Sequence, residues 1–345
     1  MFINVNALDY INIILILIFG YSTTITDLRV GKIRNKHTGL MLFLGILLFL
    51  TKIILFKLQG GILNPRYYQD YITNILITSA LMFLLWKQKL LNAGDSKLII
   101  GYSALIPINY YNYGYLKFFP GFAFLINTFI PIFIYLSTLA ILKTKNIEKI
   151  KAMRDALKPK TIIISTMAVF GFTWMIKKLG ILFNPGNTFS ISVILILLII
   201  VLLRTLKKAT VLFITLPFIV RILLKDYPTL KELKLALIIL FFIFFIRTFL
   251  IHLAKKAFVK EVSINALKPG MIISDPKIKK VSKITKDNIN KICEELQKKG
   301  VKKVKVKTTI PFAQFAFIGA LLTIVCRGNF ITYLRFLLNS FHRKL

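Results

Sequence analysis

Two aspartates, Asp27 and Asp95, stand where long apolar runs meet basic loops. Paired carboxylates can hydrolyse an amide bond with neither a metal nor a covalent intermediate. Carboxyls a few ångströms apart cannot both ionise cheaply, so they share one proton over a range of pH. One then draws a proton from water lying between them while the other protonates the scissile carbonyl oxygen. Asp27 ends the first apolar run and Asp95 opens the fourth, so a helical bundle could hold both at one depth. Ionisable residues at a membrane boundary tend to face a cavity or a partner. Taken singly, each reads equally well as solvated among nearby lysines.

Only 13 of 345 residues are acidic, so the sorting is short. Asp9, Asp70 and Asp226 fall on the opposite face, Glu148 and Asp155 lie in a basic loop, and Glu261 and the four acids after it belong to a polar segment. Gly94 precedes Asp95 and gives the chain freedom to bend and admit a substrate backbone, although glycine before a helix is also ordinary turn chemistry. Lys97 would weaken a shared proton if it lay beside the pair. At ~100° per helical residue it points about 200° away from Asp95, as a solvated or headgroup-facing side chain.

The elements that must hold these residues are membrane helices. Hydrophobic residues make up 56% of the chain and come in runs such as Phe189 to Leu203 and Leu235 to Leu253. In hydrocarbon a backbone must satisfy its own hydrogen bonds, so such runs read as spanning helices. About ten are expected, near 11–26, 39–56, 71–86, 97–118, 121–142, 161–183, 188–203, 209–224, 235–254 and 310–326. Pro107 and the NYYNYGY run make the fourth a short or broken helix ending in an aromatic belt. The chain begins MFINVNALDY, with no basic residue ahead of the first run and no small-residue cleavage site behind it. That run is therefore expected to remain as a span rather than leave as a signal peptide.

The net charge is +35, from 48 Lys and Arg against 13 acids. Basic residues gather in alternate loops: Arg29 to Lys36, then Lys87 to Lys97, then Lys143 to Lys160 with seven bases. The positive-inside rule puts these loops, and with them both aspartates, at the cytoplasmic face of the cell membrane. The tail from Arg327 is basic against this parity and is expected to fold back as an interfacial helix.

The fold class expected is thus an all-α polytopic transmembrane helical bundle with one small cytoplasmic α+β domain. Residues 1–142 form the core with both aspartates, 143–254 add helices, 255–309 are the polar domain, and 310–345 are a final span and basic tail. In the polar domain Lys260 to Ile264 and Met271 to Ser274 read as strands around a Leu267-Lys268-Pro269-Gly270 turn. Thr285 caps a helix with Ile289, Ile292 and Leu296 on one face, stopped at Gly300, and Val301, Val304 and Val306 suggest a last strand. This domain holds 16 Lys but no Arg and a single aromatic, Phe258, which argues against nucleic acid as a partner. It suits membrane lipid or substrate instead. Cys293 and Cys326 fall in different environments, and His37, His252 and His342 have no ligand spacing, so neither a disulfide, a metal nor a cofactor is expected.

The segment Asp27-Leu28-Arg29-Val30-Gly31-Lys32-Ile33-Arg34-Asn35 resembles the first motif of type IV prepilin peptidases and archaeal preflagellin peptidases, with Arg34 in place of proline. Asn92-Ala93-Gly94-Asp95-Ser96-Lys97 is similar to their Gly-x-Gly-Asp motif, with Asn92 in place of the first glycine. The spacing of 68 residues between the aspartates suits the family's first and fourth helices. The likeness is clearest over residues 10–110. The additional helices, the polar domain and a final span opening Ile310-Pro311-Phe312-Ala313 look like the larger archaeal enzymes for precursors with class III signal peptides. The resemblance implies an aspartic endopeptidase with Asp27 and Asp95 catalytic and Gly94 and Lys97 supporting. Its partners would be type IV pilin-like or preflagellin precursors, cut at the cytoplasmic face to remove a short leader.

Two other readings stay open. A presenilin-like intramembrane protease also carries Gly-x-Gly-Asp, but no Pro-Ala-Leu occurs here and Thr26, not tyrosine, precedes Asp27. A transporter or pilus assembly scaffold would use boundary aspartates without catalysis, and a transporter should bury charges within several spans.

Overall fold

A computed structural model describes residues 5–61, 64–88, 90–113, 119–183, 209–246, 259–267, 271–273, 284, 289–298, 300–301, 303–307 and 311–342. Twelve α-helices and one three-stranded sheet lie among them. The chain divides into two compact units, residues 1–133 with 260–345, and residues 134–259. The last helices thus belong with the first, a grouping by packing where the sequence reading grouped by polarity.

In the first unit, α1 (Val5–Val30), α2 (Asn35–Leu58), α3 (Pro65–Lys87), α4 (Ala93–Leu105) and the start of α5 (Phe122–Lys143) are followed, after the sheet, by α11 (Ala313–Val325) and α12 (Phe330–His342). Three segments, Ala7–Val30, Asn35–Leu58 and Phe122–Lys143, are long and apolar enough to cross a membrane, and only 22% to 33% of each is buried. Ile14, Leu17 and Ile18 on α1 and Phe43, Leu47 and Leu50 on α2 are exposed. An apolar surface that extensive is what a bilayer covers. The run expected to span 188–203 lies outside the described residues, as does the end of 235–254.

α4 sits at the centre and packs against α1, α2, α3 and α11. Beyond its polar first turn and Lys97 it is mostly apolar, and nearly all of it is buried, as suits a helix surrounded by others. Small residues let the backbones close in: a Cβ on Gly45 of α2 would lie 2.7 Å from the Ala104 carbonyl, and one on Gly101 would lie 3.0 Å from Met41 Cβ. The fourth apolar run is helical only to Leu105, then turns through Pro107 into a single 3-10 turn, Ile108–Tyr110. Thirteen residues rise ~20 Å, so α4 ends inside the bundle with carbonyls that need donors. α3 supplies them. Asn74 Nδ2 donates to Ser103 O at 3.2 Å and the Tyr71 hydroxyl to Ala104 O at 3.2 Å, while Asn74 Oδ1 accepts from Gly121 N at 2.6 Å.

The C-terminal pair is fastened in the same way. Asn127 of α5 donates to Thr323 Oγ1 at 3.0 Å and to Gly328 O at 2.8 Å, and accepts from Phe330 N at 3.0 Å. Arg327 (φ 47°) and Gly328 (φ 135°) turn the chain back into α12, whose Tyr333 and Phe336 pack on the Tyr113 ring.

The polar domain is a sheet of β1 (Val259–Ser263), β2 (Ile272–Ile273) and β3 (Lys303–Lys307) with one helix, α10 (Ile289–Lys298). Its order, β1-β3-β2, puts the last strand in the middle, so the first two do not form the hairpin that their sequence proximity suggests. β2 and β3 run antiparallel with Ile273 opposite Val306. Along β3, Val304 and Val306 are buried and Lys303 and Lys305 exposed, the period of two that a one-sided sheet requires. Ile264, Leu267, Ile273, Ile284 and Leu296 complete the core, and Gly300 at φ 66° ends α10. Thr285 and the 268–270 turn lie outside the described residues.

The second unit holds the rest of α5, then α6 (Asn146–Ala156), α7 (Pro159–Phe183), α8 (Ala209–Leu223) and α9 (Leu230–Ile246). α7 packs against α8 and α9. Arg221, 4% exposed, ties all three: it reaches Glu232 of α9 at 2.6 Å, Phe170 O of α7 at 3.0 Å and Asp226 O at 2.8 Å. Glu232, the remaining one of the 13 acids, is thereby half of an ion pair. Removing its buried cation would leave a carboxylate uncompensated.

Candidate functional site

Asp27 lies in the last turn of α1 and Asp95 in the first turn of α4, and each is 8% exposed. Both therefore stand where the α1–α2 loop crosses the bundle. Gly31 ends α1 in a left-handed conformation at φ 63°, its N–H donating to Asp27 O at 2.8 Å. The loop then brings Ile33 over the start of α4, where a Cβ added to Gly94 would meet Ile33 Cβ at 3.4 Å. Lys97 is exposed and donates to Asn35 Oδ1 at 3.1 Å, a second tie between the loop's end and α4.

Each carboxylate also accepts from a polar donor. Asp27 Oδ2 accepts from Ala313 N at 2.9 Å, at the first residue of α11, so a helix N-terminus 286 residues away in sequence is aimed at it. The free N–H groups and dipole of a helix start favour negative charge there. Asp95 Oδ2 accepts from Asn92 Nδ2 at 3.0 Å and stands in the positive end of its own helix. α11 packs on both α1 and α4, and its approach to α1 is close enough that a Cβ on Gly20 would strike the Phe317 ring. The final helix is thus part of the site's frame. No local sequence signal announces that contact, whereas Asn92, three residues ahead of Asp95, stood in view.

The two glycines differ. Gly94 is an ordinary helical residue with room for a methyl group, so Gly94→Ala is expected to keep or raise the thermal midpoint, by up to ~1 kcal/mol of helix propensity. Gly31 also has open space around it, yet its φ disfavours any side chain. Gly31→Ala is expected to cost ~1 kcal/mol and to lower the midpoint in the same melt.

At the other end of α1 and α2 the structure holds a charge pair that the sequence reading passed over. Lys52 Nζ contacts both oxygens of Asp9, at 2.8 and 2.9 Å, and the two residues are 5% and 6% exposed. Asn109 Nδ2 donates to Asp9 at 3.2 Å, and the Lys52 ammonium lies 5.4 Å from the Tyr67 ring centroid. Among the described residues no three His, Cys, Asp or Glu side chains gather as a ligand set.

Comparisons of the chain with protein-family models, with curated proteins and with solved structures found no match.

Proposed function

We propose that the chain is a membrane aspartic endopeptidase that removes the short leader of pilin-like precursors at the cytoplasmic face, from a bundle of about ten spans. The observation that carries this reading is the pair of buried aspartates at one end of the α1–α4–α11 cluster, each accepting a hydrogen bond from N–H. One carboxylate takes a proton from water, and the resulting hydroxide adds to the scissile carbonyl carbon while the other carboxyl protonates its oxygen. Collapse of the tetrahedral intermediate expels the amine, which leaves with a proton returned by the first residue, while one hydroxyl of the intermediate gives its proton back to the second carboxylate. A precursor segment entering beside the α1–α2 loop would meet both acids, and the exposed basic residues Arg29, Lys32 and Arg34 stand on its approach.

A second reading, a transporter or assembly scaffold, draws support from the buried Asp9–Lys52 and Arg221–Glu232 pairs. These are closed ion pairs near helix ends rather than a ladder of sites through the spans: Asp9 is the fifth residue of α1, and Lys52 precedes the end of α2 by six. The test is cleavage of a co-expressed pilin-like precursor in membranes by the parent chain, Asp27→Asn and Asp95→Asn, each shown to insert normally. Parental cleavage by either variant would transfer the case to the scaffold reading.

A further inference from the structure

The segment between α5 and α7 reads in sequence as a basic loop; in the structure it is the helix α6, with an unusual surface. Ile147, Ile150, Met153 and Leu157 are 80%, 62%, 52% and 49% exposed, while Ala152 is 5% exposed. Spacings of three, three and four residues put the four large side chains on one helical face. At ~100° per residue Lys151 borders that face on one side and Lys149 on the other, and Arg154 lies within it, in line with Ile147 two turns on. From Lys143 to Lys160 there are seven bases against two acids.

The chain restricts what can cover this face. α5 is long and apolar enough to cross a bilayer and ends at Lys143, and two residues later α6 begins. The three Cα-to-Cα steps from Lys143 to Asn146 reach at most ~11 Å, so wherever α5 leaves the hydrocarbon, α6 starts at the headgroups. We propose that α6 lies flat on the membrane as an interfacial anchor. Its Ile147–Ile150–Met153–Leu157 face sinks into the acyl boundary, and Lys149, Lys151 and Arg154 hold anionic lipid headgroups. Charge decides the occupant, because a helix with this excess of cations beside its apolar stripe is complementary to anionic lipid. The inference depends on α5 crossing a bilayer and not on the peptidase reading.

The test uses the full chain in nanodiscs, with an environment-sensitive fluorophore on Ile150→Cys in a Cys293→Ser, Cys326→Ser background. The discs contain phosphatidylcholine with or without phosphatidylglycerol, and one lipid at a time carries a headgroup nitroxide. The expected result is a blue-shifted label, quenched severalfold more by nitroxide on phosphatidylglycerol than on phosphatidylcholine. That preference should disappear in Lys149→Gln, Lys151→Gln, Arg154→Gln and survive in Arg154→Lys. The replaced side chains of α6 are solvent-accessible, whereas Cys326 is buried, so an unchanged melting profile is required of the Cys293→Ser, Cys326→Ser background as well as of each variant. A label that stays in water in both discs overturns the proposal. Equal quenching by the two lipids does so too, because it leaves no headgroup recognition. Shielding that appears only in whole membranes would identify a protein as the occupant, with the same consequence.

Discussion

Precursor cleavage is expected to fall about a thousandfold in Asp27→Asn and again in Asp95→Asn, with the double variant no slower than either. The first half follows from the division of labour: an amide can neither accept the water's proton nor donate one to a carbonyl oxygen at neutral pH. The second half is the sharper claim. Two groups that act as a unit do not contribute separately, so once one is gone the other has nothing left to lose. Asparagine is nearly isosteric with aspartate, and its carbonyl oxygen can still accept from Ala313 N at position 27 or from Asn92 Nδ2 at position 95. Both variants should therefore insert and melt like the parent, which separates lost chemistry from lost structure. A double variant much slower than the singles would mean independent roles, and the shared-proton mechanism would have to be abandoned. Single-turnover cleavage in detergent, with the blotted amount of each chain as denominator, measures all four rates.

Much of this arrangement was legible because polarity changes sharply where the aspartates sit. Asp27 and Asp95 could be found at helix ends from loop composition alone, since a carboxylate beside an apolar run stands out when acids are scarce. The short fourth helix was legible at Pro107 and the aromatic run after it, because proline supplies no N–H to continue a helix. The tail after Arg327 is helical, and Arg327 and Gly328, both at positive φ, make the turn that precedes it. What could not be read was anything decided by contact between distant segments. The amide at Ala313 meets Asp27 across 286 residues, and no periodicity within α11 says which helix end it will face. The central position of β3 depends on which edge the last strand finds, not on its alternation. Lys52 was a different kind of miss. One lysine in a run from Leu40 to Phe56 barely changes the mean hydropathy, and averaging concealed the charge that most needs a partner.

That lysine carries the second large effect. Lys52→Met is expected to cost roughly 3–5 kcal/mol, because it leaves the buried Asp9 carboxylate without its cation in a medium that hydrates it poorly. Over a chain of this size such a loss should lower the thermal midpoint in detergent by roughly 10 °C. Asp9→Leu alone should also destabilise, by stranding the ammonium, with the Tyr67 face as partial compensation. Combining the two should recover most of the loss, since well-packed apolar groups can replace a buried pair at little cost, and Asn109 is exposed and can turn to water. A double-mutant cycle on the midpoints measures the coupling; additive losses would show that the pair is not a pair in energetic terms. Cleavage adds a second discrimination. Asp9 and Asp27 are 18 residues apart on one helix, ~27 Å at 1.5 Å per residue, too far for the pair to touch the reaction. Below its melting range, the Lys52→Met chain should therefore cleave at nearly the parental rate per folded molecule. If a fully folded Lys52→Met chain were inactive, the pair would have to do more than hold α1 to α2, and the division between a structural end and a chemical end of these helices would fail.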